Sequence, residues 1–261
     1  MNTTTMLRQS TVLTGRTFAH WRAQPGPFLV NLLFPVLVLV MMGGLLGGAI
    51  SGSVGEYFQF AVPGVLAVTM LFGIESTMLA ITTDATTTIT DRLRSLPITS
   101  ASVLVGRATA DMTASVLGLV VTMAAGLALG WRPGGGLGAL AAATALLLWF
   151  RFALLWVGIF VGLRAKGPEA VTAAQILVWP ISLLSTVFID PATMPHWLGM
   201  VAAWNPISAT ATAVRDVFGS PAIATGDWPS DHALLLAVVF PALITAALAP
   251  LAARTYRNLG N

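Results

Sequence analysis

The sequence predicts an all-α membrane protein. It has six transmembrane helices, an N-terminal amphipathic helix lying in the interface, and short re-entrant helices on the extracellular side between helices five and six. Three observations carry this. Hydrophobic residues make up 56% of the 261 residues and charged residues only 9%, where soluble domains carry about 25% charge. Apolar windows of about 20 residues, the length of helix that crosses a bilayer core of about 30 Å, recur along the chain. Lys and Arg gather in alternate connections between those windows. A soluble globule is excluded. So is disorder, which needs low hydrophobicity and high charge, whereas mean hydropathy here is +0.83.

On a helical wheel of residues 6–22, Met6, Leu7, Leu13, Phe18 and Trp21 share one arc of about 140°. Arg8, Arg16 and Arg22 fall opposite, and Val12 is on the wrong face. That pattern suits a helix in the cytoplasmic interface with its arginines toward headgroups; a basic tail without fixed structure is the alternative. Pro25-Gly26-Pro27 ends it. The first span, Phe28 to Ile50, is uncharged, too long for a signal-peptide core and without a clear cleavage site, so it is expected to stay in the protein. The second runs from about Tyr57 to Thr82 and contains Glu75. The third covers Asp111 to Trp131, and the fourth, Ala139 to Leu163, contains Arg151. The fifth is Ala170 to Ile189 and the sixth His232 to Ala253. Prolines 35, 63, 180 and 241 lie within spans, where they can kink a helix and free carbonyls.

Orientation follows from basic residues, which are retained on the cytoplasmic side. Arg8, Arg16, Arg22, Arg92, Arg94, Arg107, Arg164, Lys166, Arg254 and Arg257 fall on one side, and only Arg132 and Arg215 on the other. Both termini are therefore expected in the cytoplasm of a multi-pass plasma-membrane protein. The chain reads as a single domain, 1–261. Residues 1–27 form its interfacial segment, 83–110 the longest cytoplasmic loop, and 190–231 an extracellular segment. In that loop Asp91-Arg92-Leu93-Arg94 leads into Ser95-Leu96-Pro97, and Ser100 can cap a following helix. The pattern suggests helix, turn, helix with an exposed tip, either a docking surface or a solvated loop. Between spans five and six, Ile207, Ala211, Val214 and Phe218 recur as one apolar stripe, with Arg215 and Asp216 expected to point elsewhere. The pieces here are too short to cross a bilayer, which favours re-entrant helices.

Several chemistries are excluded. The chain has no cysteine, hence no disulfide, iron–sulfur cluster or thiol nucleophile. Its basic residues never form a run, which argues against nucleic acid. The one lysine, in Arg164-Ala165-Lys166-Gly167, lacks the glycine spacing and the Ser or Thr of a P-loop. His20, His196 and His232 are far apart and on opposite sides, which suits no shared metal site. Asp231-His232 comes without a nucleophile motif. No catalytic residue, metal or cofactor is expected in this chain. Gly43-Gly44-Leu45-Leu46-Gly47-Gly48 holds two overlapping G-x-x-x-G spacings, a helix-packing signal.

Glu75 and Arg151 are charges inside spans, and a central arginine costs about 2.5–3.5 kcal/mol to insert. Counted from the cytoplasmic ends of their spans they differ in depth by about 7 Å at 1.5 Å per residue. Long side chains could bridge that gap. The two either pair or line a polar path. An intramembrane carboxylate also leaves open an ion-coupled secondary carrier using Glu75, though no internal repeat supports it.

Two motifs resemble those of a known family. Asp91-Arg92-Leu93-Arg94-Ser95-Leu96-Pro97-Ile98, continuing to Val105-Gly106-Arg107, is similar to the cytoplasmic coupling segment of type-2 ABC transporter permeases, particularly the daunorubicin and multidrug-resistance exporters. Met194-Pro195-His196-Trp197-Leu198 through Asn205-Pro206-Ile207 to Arg215 is similar to that family's signature between the last two spans. The likeness covers nearly the whole chain. It implies an ATP-driven exporter of lipophilic or amphipathic compounds, with ATP and magnesium held by a separate nucleotide-binding subunit. That subunit would dock on Asp91, Arg92, Arg94, Leu96 and Pro97. It also implies a second permease half, identical or related, around a central path. The threonine-rich Ala85 to Thr90 departs from the acidic residues and glycine that many relatives carry there.

Overall fold

In hydrocarbon every backbone polar group must be satisfied within the protein, so an apolar chain of this length is driven into helices. The computed structural model describes residues 11–258 apart from 12, 13, 16, 20, 24, 52, 53, 87–99, 166, 189–193 and 221–226, and all regular structure among them is helical. The helices are α1 (Pro25–Ser51), α2 (Val54–Thr86), α3 (Ser100–Ala128), α4 (Gly136–Arg164), α5 (Pro168–Leu183), α6 (His196–Ala203), α7 (Pro206–Phe218), α8 (Trp228–Asp231) and α9 (Ala233–Asn258). Upstream of Pro25, residues 11–23 are helical wherever they are described. Thr14 there donates to the Gly106 carbonyl of α3 at 3.1 Å, and Trp21 stacks on Phe28 with centroids 4.7 Å apart.

The core is built around α2 and α4. In their apolar stretches 61% and 56% of residues are buried, against 22% in α1 and 17% in α9, which leaves those two helices broad apolar faces for lipid or another chain. Leu39 of α1, Leu66 and Met70 of α2, Leu119 of α3 and Leu147 and Phe150 of α4 form one cluster with Val178 and Phe218. A second, of Ile81, Leu104, Leu155, Ile159, Leu163 and Tyr256, ties α2, α3, α4 and α9 together at their other end.

The close approach of α2 and α4 depends on two glycines one turn apart. A Cβ at Gly158 would lie 2.9 Å from Thr77 Cβ, and one at Gly162 would lie 2.9 Å from the Met78 carbonyl. Thr82 also donates to the Gly162 carbonyl at 3.0 Å. This is a small-xxx-small contact between membrane helices. Because the obstacle at Gly162 is backbone, Gly162→Val is expected to force the helices apart, costing about 1–3 kcal/mol of overpacking. The check is a lowered melting temperature of the purified protein in detergent.

Two boundaries differ from those expected. Five helices among the described residues are long and apolar enough to cross a bilayer. The expected fifth span, Ala170 to Ile189, is instead α5, 16 residues long, or about 24 Å at 1.5 Å per residue. Its helix stops at Leu183, and Leu184 to Phe188 continue in a non-helical turn whose carbonyls at Leu184, Thr186 and Val187 are met by other parts of the chain. Second, α3 begins at Ser100 rather than Asp111, so Asp111 lies in the fourth turn of a long helix and not at the edge of a span. Correspondingly, α2 continues to Thr86, which shortens the connection expected over 83–110 from both ends. Trp131 falls outside α3, in the link to α4. There it packs edge-to-face on Phe218 at 5.2 Å while Gly134 donates to the Phe218 carbonyl at 2.9 Å.

Candidate functional site

Two buried arginines organise the interior, and α2 makes room for each with a glycine. Arg151, on α4, is 1% exposed. Its Nε donates to Ser115 Oγ at 2.9 Å, and its Nη2 to the Gly73 carbonyl at 2.9 Å and Thr77 Oγ1 at 2.8 Å. Asp111 Oδ2 lies 4.0 Å from Nη2 and accepts from the Thr77 hydroxyl at 2.7 Å. Asp111 Oδ1 is also 3.2 Å from Arg107 Nε, one helical turn earlier, and Arg107 Nη2 donates to the Ser76 carbonyl at 3.3 Å. The result is a chain Arg107, Asp111, Arg151 running from α3 into α4 and latched on α2 at Gly73, Ser76 and Thr77. Any side chain at residue 73 would collide with it, since a Cβ there would sit 2.6 Å from Arg151 Nε.

Glu75 is not part of that chain. The carboxylate closest to Arg151 is Asp111, and no hydrogen bond or ion pair joins Glu75 to any described residue. Glu75 and Arg151 nevertheless border one cavity of about 660 Å³ between α1, α2, α3, α5 and the N-terminal segment, together with Arg107, Asp111, Asp84 and a set of aromatic residues. Asp111 was missed as an intramembrane charge because it opens an apolar window instead of interrupting one. Its spacing of four residues from Arg107 was the available signal.

Arg215 overturns the expectation that it points away from the apolar face of its helix. It is 0% exposed, with Nε on the Phe60 carbonyl at 3.0 Å, Nη1 on the Thr186 carbonyl at 3.1 Å and Nη2 on the Val187 carbonyl at 2.9 Å. Its guanidinium carbon stands 4.0 Å from the centre of the Phe60 ring, a cation–π contact. Gly64 opens the space, because a Cβ there would lie 2.9 Å from Nη2. Asp216 beside it is exposed. Asn205 works from the other end of α7. Its Oδ1 caps the helix by accepting from Ile207 N at 3.0 Å, while its Nδ2 donates to the Ile181 and Leu184 carbonyls at 2.9 and 2.7 Å. Ser208 Oγ accepts from Thr186 N at 3.0 Å. Thus Asn205, Ser208 and Arg215 together receive the backbone groups that α5 releases where it unwinds. Pro206 opens α7 at its first turn, where its missing N–H costs nothing.

The remaining expected residues are scattered. The Pro195 carbonyl starts α6, accepting from Leu198 and Gly199, and Trp197 is exposed on that helix. Gly43 and Gly47 are buried, Gly43 under the Phe58 ring, whereas Gly44 and Gly48 have no neighbour in reach. One of the two glycine spacings therefore packs on α2 and the other faces outward. Asp91, Arg92, Arg94, Leu96 and Pro97 lie outside the described residues. No group of three or more metal-ligating side chains occurs among the described residues.

Residues 8–218 match the family model described as ABC-2 type transporter. The chain is 34% identical over 250 residues to the daunorubicin resistance ABC transporter permease protein DrrB1 of Streptomyces coeruleorubidus, across 93% of this chain and 86% of that one. It is 27% identical over 218 residues to the putative transport permease ycf38 of Cyanophora paradoxa, across 79% of this chain and 73% of the relative. The long apolar helices, the backbone contacts of Asn205 and Arg215 and this match over most of its length agree: the chain is a multi-pass membrane permease belonging to the ABC-2 type transporter family.

Proposed function

We propose that the chain is the membrane-spanning half of an ATP-driven exporter of lipophilic or amphipathic compounds, working with a separate ABC ATPase and a second permease half, identical or related. The observation that carries this is the relationship over nearly the whole chain to a permease named for daunorubicin resistance. The exposed apolar faces of α1 and α5, with Leu33, Leu37, Met41, Ile176 and Leu177 open to the outside, support a second half packed beside this one. Both termini lie in the cytoplasm, by the distribution of Lys and Arg. The bilayer is crossed six times, with α5 and the turn after it making the fifth crossing; the clamp of Asn205 and Arg215 supports this, since non-helical backbone at membrane depth needs protein partners. On this reading α6 and α7 re-enter the membrane from the outer side.

ATP closes the partner subunits, they push the segment containing Asp91, Arg92, Arg94, Leu96 and Pro97, and the permease halves exchange inward-open and outward-open states. The chain of Arg107, Asp111 and Arg151 begins close after that segment, which gives the push a rigid path into α2 and α4.

Purification of the tagged chain from its native membrane in mild detergent is expected to recover a P-loop ATPase in stoichiometric amount, with ATPase activity. Leu96→Asp with Pro97→Ala is expected to lose both while the permease stays in the membrane. Recovery of the chain alone, under conditions that preserve other ABC complexes, would overturn the proposal.

A further inference from the structure

Glu75 is an unused charge. The cations bordering its cavity are engaged elsewhere, Arg107 with Asp111 and Arg151 with Ser115, Thr77 and Asp111. A carboxylate held inside a membrane helix bundle is costly unless something offsets it. Phe72 lies one turn before Glu75 and Leu79 one turn after it on α2, so the three share a face, and all three border the cavity. Phe72 belongs to a three-ring cluster: Phe34 and Phe72 are 5.2 Å apart, Phe34 and Trp179 5.8 Å, and Phe72 and Trp179 5.2 Å, each pair tilted or edge-on. The cluster joins α1, α2 and α5, and its three rings border the same cavity. Aromatic faces attract cations, and an anion would meet both those faces and Glu75 unfavourably. At about 660 Å³ the space falls within the 300–1,000 Å³ range of pockets that hold drug-sized molecules. Trp21 and Phe28 form part of the rim, so the cavity is bordered by the segment that the sequence places in the membrane interface.

We propose that this cavity binds an organic cation carried on an apolar or aromatic body, with Glu75 as the counter-charge and the Phe34, Phe72 and Trp179 cluster as the platform. The proposal rests on the exporter reading and narrows its substrate class. The ammonium can come from a free amphiphile or from a lipid headgroup.

The test uses the full chain in lipid nanodiscs, without nucleotide. Radiolabelled tetraphenylphosphonium and tetraphenylborate share a shape and differ in the sign of charge. Saturable binding of the phosphonium is expected, weakened about tenfold or more by Glu75→Gln, the scale of one lost charge contact. Glu75→Asp should retain most of it, and Trp179→Leu, which keeps an apolar side chain, should weaken it by a smaller factor. Tetraphenylborate should show no component that depends on Glu75. Discs half phosphatidylglycerol, with the other half a neutral glycosyl diacylglycerol in the first and phosphatidylethanolamine in the second, hold the surface charge equal and separate the sources. A loss of phosphonium affinity in the second identifies a headgroup amine as occupant, and equal affinity identifies a free amphiphile; both support the cation site. Absence of saturable phosphonium binding, equal binding by a monodisperse Glu75→Gln, or Glu75-dependent tetraphenylborate binding would overturn it. None of these depends on an ATPase subunit, so a failed cation site leaves the copurification result intact, and a failed copurification leaves the binding result readable.

Discussion

Arg151→Leu is expected to remove nearly all transport and to lower strongly the amount of folded protein in the membrane. Arg151 donates to two acceptors on α2, the Gly73 carbonyl and Thr77 Oγ1, and to one on α3, Ser115 Oγ. Deleting it releases α4 from both. It also leaves Asp111, 5% exposed, with Arg107 as its one remaining cation in the network. Breaking a buried charge arrangement by removing one partner costs about 3–5 kcal/mol, because the desolvation of the other is no longer offset. That is a large part of the total stability of an ordinary domain, about 5–15 kcal/mol. Arg151→Lys should fall between the two, since one ammonium cannot span Ser115, the Gly73 carbonyl and Thr77 as the planar fork does. The double variant Asp111→Asn with Arg151→Leu should be more stable than Arg151→Leu alone, because it removes the stranded charge. The melting temperatures of the parent, Asp111→Asn, Arg151→Leu and the double variant form a double-mutant cycle. Strict additivity, or a single variant as stable as the parent, would show that the network contributes little.

How much of this was legible in the sequence depended on whether a residue interrupted a pattern. Glu75 and Arg151 interrupt apolar windows, so they stood out. Asp111 is the first residue of one, so it did not stand out as an interruption, although α3 carries it well inside the helix. The stripe of Ile207, Ala211, Val214 and Phe218 is buried as expected. A single stripe, however, presumes a helix with one covered side, whereas α7 packs on α2, α4 and α9 together and buries every residue from Ile207 to Arg215. Arg215 therefore had no outward direction to take. The break in α5 was equally hidden, since Ala170 to Ile189 is apolar throughout its middle and hydropathy does not record where carbonyls find donors. The motif spanning Asn205 and Arg215 was visible by resemblance alone; its physical content, a clamp on released backbone, needed coordinates. Gly158 and Gly162 form a G-x-x-x-G spacing as plain in the sequence as Gly43 to Gly48, and both pack on α2.

Replacing Arg215 should have an effect second only to that at Arg151, and of a different kind. Arg151 joins helices, whereas Arg215 completes a segment that has no secondary structure of its own. In Arg215→Met the Thr186 and Val187 carbonyls lose their donors, and each buried group left without one costs about 1–3 kcal/mol. The segment has two ways to recover, by drawing in water or by rewinding onto α5, and both displace Val187 from its place beside Gly64. Because the chain contains no cysteine, a Val187→Cys reporter has no background. It is expected to resist a membrane-impermeant maleimide in the otherwise unchanged protein and to react once Arg215 is replaced by Met, alongside a lower melting temperature and loss of export. Arg215→Lys should restore protection only in part, since its ammonium cannot reach the Phe60, Thr186 and Val187 carbonyls in the geometry of the fork. Gly64→Ala supplies an independent route to the same state, because its Cβ would crowd Nη2 and the Val187 carbonyl together, at 2.9 and 3.0 Å. A reporter that stays protected in both variants would mean that Asn205, through Ile181 and Leu184, holds the broken end of α5 unaided.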